Sequence, residues 1–404
     1  MSGGFDEGAH NMKRMVVGLA LCGSLAAMVA NFCAAGESGS VANRNAPSGV
    51  TLEQILDAWK ARQARVRSAQ FVWTTRKTLP RGRFSRDRDP RFEKSSSVDS
   101  GPSPPEDTEF TVPMELSFDG DKMRVSYTNK VWSEEERAFF DQTFISTFNG
   151  KVSKSFVPRT KRWPQGVIRP EEHNLEATNL YAQPVLMMYR ATHPTMGMFL
   201  PKSWVLSQQT PVFNGRQCVV LEEMGESSSV QRALWVDPQR EFCIVRYLLT
   251  QRRNLEVKLD IEYSQTAQRE WVPTRWELVW MRSDGTLRES GLNEVDKSEI
   301  NIAIPPAQFD VQFPPGTLVN DLKSKPKENY IVLEGGRKRP ILPNEASAPY
   351  ELLINSEPGM ALARPASSWF SAWWPFVVGG GVVVLIMIAW WGWRYARART
   401  TPAQ

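Results

Sequence analysis

The chain has 404 residues, with 49 Lys and Arg against 44 Asp and Glu and a formal net charge of +5. This near balance argues against a nucleic-acid-binding protein, because phosphate contacts require concentrated positive charge. A chain of this length has room for one large domain or two smaller ones.

The N-terminal region has the pattern of a secretory signal. Lys13 and Arg14 precede an uncharged run, Met15–Ala35, that ends in small residues, which is the charged, apolar, small order of such segments. We interpret residues 1–36 as a signal peptide. Met12 is an alternative start, because the residues before it include acids that fit a signal poorly. An uncleaved second membrane anchor is the competing interpretation.

Residues 37–50 are a predicted linker, and a helix is predicted directly after it. Thr51 and Gln54 have the spacing of a capping box, in which each side chain accepts a hydrogen bond from the other residue's backbone N–H. Apolar residues then recur at helical spacing, at Leu52, Ile55, Leu56, Trp59 and Val66. The period changes at Gln70–Thr75, which predicts a strand.

Basic residues are dense from Arg76 to Lys94, and a Ser- and Pro-rich stretch follows them. This composition predicts a mobile, solvated loop over residues 80–109. A patch that faces anionic lipid head groups is the alternative.

The chain from residue 109 onward is predicted to be mostly strands. The predicted strands are Phe110–Phe118, Lys122–Tyr127, Thr143–Phe148, Lys151–Val157, Gln217–Glu223, Val230–Val236, Phe242–Thr250, Leu255–Tyr263, Val272–Met281 and Leu287–Val295. Asn149-Gly150 predicts a hairpin with a type I′ turn, in which both central residues have positive φ. Leu180–Arg190 is a predicted helix.

So many antiparallel strands after one long helix predict an α+β domain over residues 51–320. The expected architecture is a strongly curved antiparallel sheet wrapped around helices. The inner face is rich in Trp, Phe, Leu, Val and Met. It can be filled by the protein's own helices or can hold an apolar guest.

The C-terminal part predicts a membrane anchor. Residues 321–368 are predicted to form a short strand, Tyr330–Leu333, followed by a Pro/Ser/Ala-rich tether. Residues 369–393 carry no charge, have Trp at both edges and are long enough to span about 30 Å of hydrocarbon. A buried core helix is the alternative. The basic tail, residues 394–404, places the C-terminus in the cytoplasm and the large domain outside it.

Four cysteines are present, and Cys22 and Cys33 lie in the predicted signal. Cys218 and Cys243 remain, which permits one disulfide in an oxidising compartment. A strand near Trp235 is predicted to lie between them. Strands one apart are about 9–10 Å from each other, too far for a bridge. Two buried thiols are therefore the prediction.

Seven segments, spread over roughly residues 50–317, carry a family resemblance: Ile55–Thr75, Leu116–Arg124, Phe148–Lys151, Leu234–Pro238, Cys243–Arg246, Ile304–Phe309 and Phe313–Gly316. In these segments and in the order of its elements, the chain resembles the LolA/LolB superfamily of periplasmic lipoprotein carriers and the related RseB-type regulatory domains.

This resemblance implies an open half-barrel with lid helices over an apolar cavity, which in the carriers receives acyl chains. Two features depart from the family pattern. The soluble carriers have no membrane anchor, and the loop over residues 80–109 is an addition. No lipid-handling residue of the family can be matched one for one. The predicted anchor argues against shuttling across the periplasm and favours a tethered binder or sensor.

The sequence offers few groups for catalysis or metal binding. His173 lies in a polar segment whose neighbouring residues do not point at one centre, and His193 precedes Pro194 in a predicted turn. Glu222 and Glu223 are adjacent on a strand, so their carboxylates point to opposite faces. No cofactor or metal site and no enzymatic activity are predicted. A glycosidase built from distant carboxylates remains the enzymatic alternative.

Apolar residues give the candidate ligand site. Methionine adapts to varied apolar shapes, which suits an acyl chain. The candidates for lining a cavity are Phe71, Trp73, Leu186, Met187, Met188, Trp235 and Val279, and ordinary core packing is the alternative for each.

Three functions are consistent with the sequence. The first is a non-enzymatic, membrane-anchored envelope protein that binds acyl chains of lipids or lipoproteins. The second is a sensor or scaffold that recognises another envelope protein, as RseB-type domains do. The third is a hydrolase.

Overall fold

The computed structural model describes residues 49–86, 101–158, 163–170, 181–194, 204–223, 230–251, 254–346 and 348–356. The chain divides into two compact units, residues 1–339 and residues 340–404. The predicted signal peptide, the predicted spanning helix and His173 lie outside the described residues. None of the helices in the described ranges has the length and apolar character needed to cross a bilayer.

Helix α1 spans Leu52–Arg65 and begins with the predicted capping box. The Gln54 N–H donates to Thr51 Oγ1 over 3.2 Å, and the Thr51 N–H donates to Gln54 Oε1 over 2.9 Å. These two bonds satisfy amide groups that the first helical turn leaves without partners. The buried face of α1 contains Ile55, Trp59 and Arg62.

Three further helices are short: α2 (Arg83–Arg86), α3 (Gln183–Tyr189) and, in the second unit, α4 (Tyr350–Asn355). Helix α3 confirms the prediction of a helix within residues 180–190. Helix α4 lies in the segment predicted as a tether.

The described strands are β1 (Ser68–Leu79), β2 (Thr108–Asp119), β3 (Lys122–Ser133), β4 (Ala138–Phe148), β5 (Val152–Val157), β6 (Gln165–Pro170), β7 (Trp204–Leu206), β8 (Val212–Phe213), β9 (Arg216–Gln217), β10 (Val219–Glu223), β11 (Val230–Asp237), β12 (Cys243–Gln251), β13 (Asn254–Gln265), β14 (Trp271–Met281), β15 (Leu287–Ile300), β16 (Leu318–Asp321), β17 (Glu328–Val332) and β18 (Lys338–Pro340).

Sixteen of these strands form one sheet in the order β18-β17-β16-β6-β5-β4-β3-β2-β1-β15-β14-β13-β12-β11-β10-β7. Strand β1 pairs with β2 on one side and with β15 on the other, both antiparallel. It therefore joins the early strands to the late ones. The β6–β16 pair is parallel, so the sheet is mostly antiparallel and continues past residue 320.

The sheet is curved around α3. Tyr189 packs on Phe118 of β2, with ring centroids 6.0 Å apart, while the adjacent Met188 meets Cys243 of β12, Sδ to Sγ 3.7 Å. Strands β2 and β12 are five places apart in the sheet. At about 4.8 Å a spacing they would be roughly 24 Å apart if the sheet were flat, about twice the diameter of a helix. The predicted curved antiparallel sheet with few helices is confirmed.

The hairpin predicted at Asn149-Gly150 is present between β4 and β5, but its turn is not type I′. Gly150 has a φ of +88°, whereas Asn149 is not among the residues with positive φ. Instead, Asn149 Oδ1 accepts hydrogen bonds from the Lys151 and Val152 N–H groups at 3.0 and 2.9 Å. The asparagine side chain closes the turn as an Asx turn does.

The described ends of the segment predicted as a mobile loop are joined to each other. The Gly82 N–H donates to Pro104 O over 2.9 Å, and the Phe84 N–H donates to Ser103 O over 2.8 Å. Ser103 is fully buried. These contacts bring residues 80–86 and 101–107 together at the end of the β1–β2 pair. The prediction of mobility for the middle of the loop falls outside the described residues.

Candidate ligand site on the concave face of the sheet

The inward face of β1 changes from apolar to charged along the strand. Every second side chain from Ala69 to Leu79 points to the concave face, and the central four are Phe71, Trp73, Thr75 and Lys77. Their residue exposures are 0%, 0%, 1% and 9%. The Thr75 hydroxyl donates to Asn293 Oδ1 of β15 over 2.6 Å. The inward row is therefore apolar at Phe71 and Trp73 and polar at Thr75 and Lys77, and it ends on the buried Leu79.

Helix α3 covers this face. All seven of its residues are buried. The Tyr189 ring lies 5.8 Å from that of Phe71, and its hydroxyl donates to Trp271 O over 3.1 Å. Burial raises the pKa of the Tyr189 hydroxyl well above its usual value, so this group is a neutral donor. The space that the curved sheet encloses is filled by the protein's own helix.

Two buried arginines hold the C-terminal end of α3. Arg62 of α1 donates to Met188 O over 3.3 Å and also to Glu241 O. Arg190, directly after α3, donates to Val66 O and Arg67 O over 3.0 and 2.7 Å. Carbonyls near helix C-termini carry partial negative charge, which stabilises these cations. Both guanidiniums therefore link the ends of α1 and α3.

Arg190 remains a cation in this buried position. Burial lowers the pKa of its guanidinium to about 10, and the negative charges of Asp121 and Asp119 oppose the shift. Its guanidinium also lies over the Phe118 ring, 4.0 Å from the centroid, a cation–π contact with the concave face.

A charged cluster holds the N-terminal end of α3. The Tyr181 hydroxyl, two residues before α3, donates to Glu289 Oε1 over 2.8 Å. Lys77 Nζ lies 3.2 Å from the same oxygen, and Arg83 donates to Glu289 Oε2 over 2.7 Å. Gly291 makes room for the Tyr181 ring, because a Cβ there would lie 2.4 Å from Tyr181 Cε1.

This environment sets the ionisation of the cluster. Burial disfavours the Glu289 anion, but the charges of Lys77 and Arg83 outweigh burial and lower the pKa of this carboxyl to about 2. Burial and the Glu289 charge raise the pKa of Tyr181 well above its usual value. Glu289 is thus an ionised anchor near neutral pH, unsuited to donate a proton as a general acid.

Two indoles of the concave face have unused donors. Trp73 and Trp276 contact each other, with ring centroids 5.4 Å apart. Neither buried Nε1–H has a hydrogen-bond partner in the described part of the chain. A buried donor without a partner costs about 1–3 kcal/mol. The face therefore retains polar groups that an incoming acceptor oxygen would satisfy.

The structure brings five of the seven sequence candidates together. Phe71 and Trp73 of β1 and Leu186, Met187 and Met188 of α3 belong to one buried cluster. Each is at most 2% exposed. They lie on the concave face or on the helix that covers it.

Trp235 and Val279 lie on the opposite face of the sheet. In β11, Leu234 and Val236 are buried while Trp235 is half-buried, and the Arg246 guanidinium lies 4.7 Å from its ring centroid. In β14, strand alternation places Val279 with the exposed Glu277 rather than with Leu278. The alternation of apolar and polar residues along Trp276–Trp280 is the sequence feature that could have placed Val279 on the opposite face. For Trp235, the signal is its cross-strand partner, Arg246.

Sequence reasoning missed the polar anchors, Arg62, Lys77, Tyr181, Arg190 and Glu289. Two of them have a local signal. Arg62 falls three residues after Trp59, on the apolar stripe of α1, and Lys77 continues the inward alternation of Phe71 and Trp73. The other three, Tyr181, Arg190 and Glu289, have no local signal, because their partners are far away in the chain.

The cysteine prediction is confirmed. Cys218 and Cys243 are both free and buried, and β11 lies between β10 and β12 in the sheet. Burial raises the pKa of the Cys243 thiol to about 12 and that of Cys218 to about 11, so both are weak nucleophiles.

His193 contacts Asp121, Nε2 to Oδ1 2.9 Å, after the C-terminal end of α3. In the described ranges no group of three His, Cys, Asp or Glu side chains is placed to hold a metal ion.

No family model and no curated protein sequence matches this chain. Its structure is similar to a LolA superfamily protein of Nitrosomonas europaea, with 15% identity and a TM-score of 0.36, over 65% of this chain and 98% of that one. It is also similar to a DUF1329 family protein of Desulfovibrio piger, with 8% identity and a TM-score of 0.34, over 64% of this chain and 95% of that one. Both TM-scores are below 0.5, so no conclusion about function follows from them.

Proposed function

We propose that this chain is a membrane-anchored, extracytoplasmic protein that binds an acyl chain of a lipid or lipoprotein on the concave face of its sheet. The observation that carries the proposal is the position of α3. A short helix covers an apolar, curved surface, and its polar anchors lie at its two ends, at Glu289 and at the two arginines. An acyl chain would bind where α3 now lies.

An acyl chain that replaces α3 would cover the same apolar surface of the sheet that α3 covers now. The helix contributes Val185, Leu186, Met187 and Met188 to the core. An acyl chain would bury comparable apolar area, at about 0.8 kcal/mol for each methylene. The flexible thioethers of Met114 and Met123, both buried on the concave side, allow the face to fit a different apolar shape.

Photo-crosslinking tests this proposal. The full-length chain, in a neutral detergent, is exposed to a fatty acid that carries a diazirine near its methyl end. We expect saturable labelling of peptides from β1 and β14, whose inward residues include Phe71, Trp73 and Trp276. If no saturable labelling is found, or if it is confined to peptides of the outward face, acyl-chain binding at this site is contradicted.

A matched pair of tryptophan variants provides the control. Trp73→Leu removes an indole from the concave face, and Trp235→Leu removes one from the opposite face. We expect weaker labelling in the first variant and unchanged labelling in the second. Circular dichroism and thermal melting check that both variants are folded.

Recognition of another envelope protein is the second candidate. It is favoured by the same helix, because α3 already fills the interior and the domain needs no guest to complete its core. A chain that shows no saturable labelling but co-purifies at fixed stoichiometry with one envelope protein would support this role over lipid binding.

A further inference from the structure

We infer that the ligand carries an anionic head group, a carboxylate or a phosphate, and that Lys77 binds it while the acyl chain runs along β1 towards Phe71. This inference rests on the proposed acyl-chain site and adds the chemical class of the ligand. It follows from the order of side chains on β1 and from the surroundings of Lys77.

Over residues 71–77, the inward row of β1 complements an anionic amphipath. Phe71 and Trp73 provide the apolar end, Thr75 marks the transition, and Lys77 is the cation, with the buried Leu79 beyond it. Six residues separate Phe71 from Lys77, which is roughly 20 Å at the rise of a strand. An extended acyl chain with its head at Lys77 would reach Phe71 along one unbroken face.

Helix α3 already occupies this path. Tyr181, before its first turn, lies beside Lys77, with Nζ 5.5 Å from the ring centroid. Tyr189, its last residue, lies against Phe71. The segment 181–189, made of α3 and the two residues before it, therefore contacts both the charged end and the apolar end of the row through Tyr181 and Tyr189.

Lys77 is suited to exchange its partner. Its ammonium has three donors, and within the described residues its ion-pair partner is Glu289 Oε1, an oxygen that also accepts from Tyr181. Arg83 pairs with the other oxygen, Oε2. Glu289 therefore keeps one cation and one hydroxyl donor if Lys77 turns to an arriving head group. A buried ammonium is costly without a good partner, so a second anion would stabilise it.

Head-group binding would also loosen α3. Lys77 and Tyr181 both contact the same oxygen, Glu289 Oε1, and Tyr181 lies two residues before α3. A head group that draws Lys77 away changes the surroundings of the Tyr181 ring. Head-group binding therefore removes one contact of Tyr181, the one with Lys77, and leaves its hydrogen bond to Glu289.

Competition among three amphipaths of equal chain length tests the inference. Hexadecanoate, hexadecyl phosphate and hexadecanol each displace the diazirine fatty acid from the full-length chain in the same neutral detergent. We expect at least one of the two anions to compete about tenfold more strongly than the alcohol, as one charge-assisted hydrogen bond implies. The stronger anion identifies the head group as a carboxylate or a phosphate.

Two lysine variants assign the effect to a residue. Lys77→Met keeps an apolar stem of four atoms and removes the ammonium, and we expect the anions to compete no better than hexadecanol. Lys258→Met removes a lysine from β13 that pairs with Asp260 over 3.3 Å, and we expect it to leave the preference for anions unchanged.

The outcomes separate this inference from the proposed function. Equal competition by all three amphipaths would overturn the head-group assignment and leave acyl-chain binding standing. Failure of all three to compete would overturn acyl-chain binding itself. If Lys77→Met does not fold, the comparison of the three amphipaths on the unmodified chain still decides whether an anion is preferred.

Discussion

Buried charges on the concave side are stabilised in two different ways. Arg62 and Arg190 donate to backbone carbonyls, whereas Glu289 is held between Lys77 and Arg83. The hydrogen bonds from the two arginines to backbone carbonyls join the ends of α1 and α3 and involve no carboxylate. The Glu289 cluster, by contrast, depends on the ionisation of one acid, so its contribution to stability depends on pH.

Glu289 should stabilise the fold above its unfolded pKa and lose this effect in acid. Its folded pKa of about 2 lies below the ordinary 4.5, so the contribution is present above about pH 4.5 and is lost as pH falls towards 2. The full effect is on the order of 3 kcal/mol. We expect Glu289→Gln to lower the free energy of unfolding at pH 6, and the difference from the unmodified chain to shrink by pH 3.

Urea unfolding at a series of pH values measures this difference. Glu262→Gln, on an exposed carboxylate paired with Arg275, serves as the control. A Glu289→Gln difference that stays constant from pH 6 to pH 3 would contradict the assigned pKa.

Gly291 should tolerate no side chain, because its Cβ would meet Tyr181 Cε1 at 2.4 Å and Thr75 Cγ2 at 3.2 Å. We expect Gly291→Ala to lower the free energy of unfolding by about 1–3 kcal/mol, the range for overpacking a buried site. Ser290→Ala, one residue earlier in the same strand, changes an outward side chain and should have an effect below about 0.5 kcal/mol. Chemical denaturation measures both, and equal effects would show that Tyr181 does not require the glycine.

At the scale of elements, α3 is defined by its surroundings. A helix of seven residues is too short to be stable alone in water. It is held by the sheet on its apolar sides and by the polar anchors at its ends. An element whose stability comes from tertiary contacts can leave as a unit when those contacts are replaced, which is the motion that ligand binding requires.

A disulfide between α3 and β12 should prevent this motion. Met188 Sδ lies 3.7 Å from Cys243 Sγ, so the two side chains point at each other, and Met188→Cys directs a second thiol towards the free Cys243. We expect the oxidised variant to lose saturable labelling by the diazirine fatty acid and the reduced variant to regain it. Peptide mass spectrometry that finds residue 188 linked to Cys243 shows that this bridge has formed.

The reduced form of the same variant is the matched control. Undiminished labelling of the oxidised form would contradict the requirement that α3 moves. Loss of labelling in both forms would show instead that the methionine side chain itself is needed.

At the scale of the whole molecule, the proposed role depends on topology. The predicted signal, residues 1–36, and the predicted spanning helix, residues 369–393, would place the sheet outside the cytoplasm, as the proposal requires.

Reporter fusions test this topology in a Gram-negative host. Alkaline phosphatase, active outside the cytoplasm, should be active when fused after residue 356 and inactive when fused after residue 404. Green fluorescent protein, which the same export route does not deliver in folded form, should give the reverse pattern. An active phosphatase at residue 404 would overturn the predicted orientation.

Much of the fold was predictable, because the signals are local. The capping box at Thr51 and Gln54, the helix within residues 180–190 and most strand positions follow from spacing within a few residues. The separation of Cys218 and Cys243 by one strand followed from the order of strands. The turn at Asn149 was predicted in place but not in type, because its side chain supplies hydrogen bonds that backbone preference does not reveal.

The candidate site was predictable in its apolar part alone. The sequence by itself determined that Phe71 and Trp73 share one face of a strand, because every second side chain of a strand points the same way, and it left open whether they and the apolar Leu186–Met188 run line a cavity or pack in the core. Only the tertiary structure decided that α3 lies on β1, that Lys77 and Tyr181 meet at Glu289, and that Trp235 faces Arg246. These contacts join residues far apart in the chain. Strand pairing and curvature set them, and no local pattern encodes which distant side chain completes a buried charge.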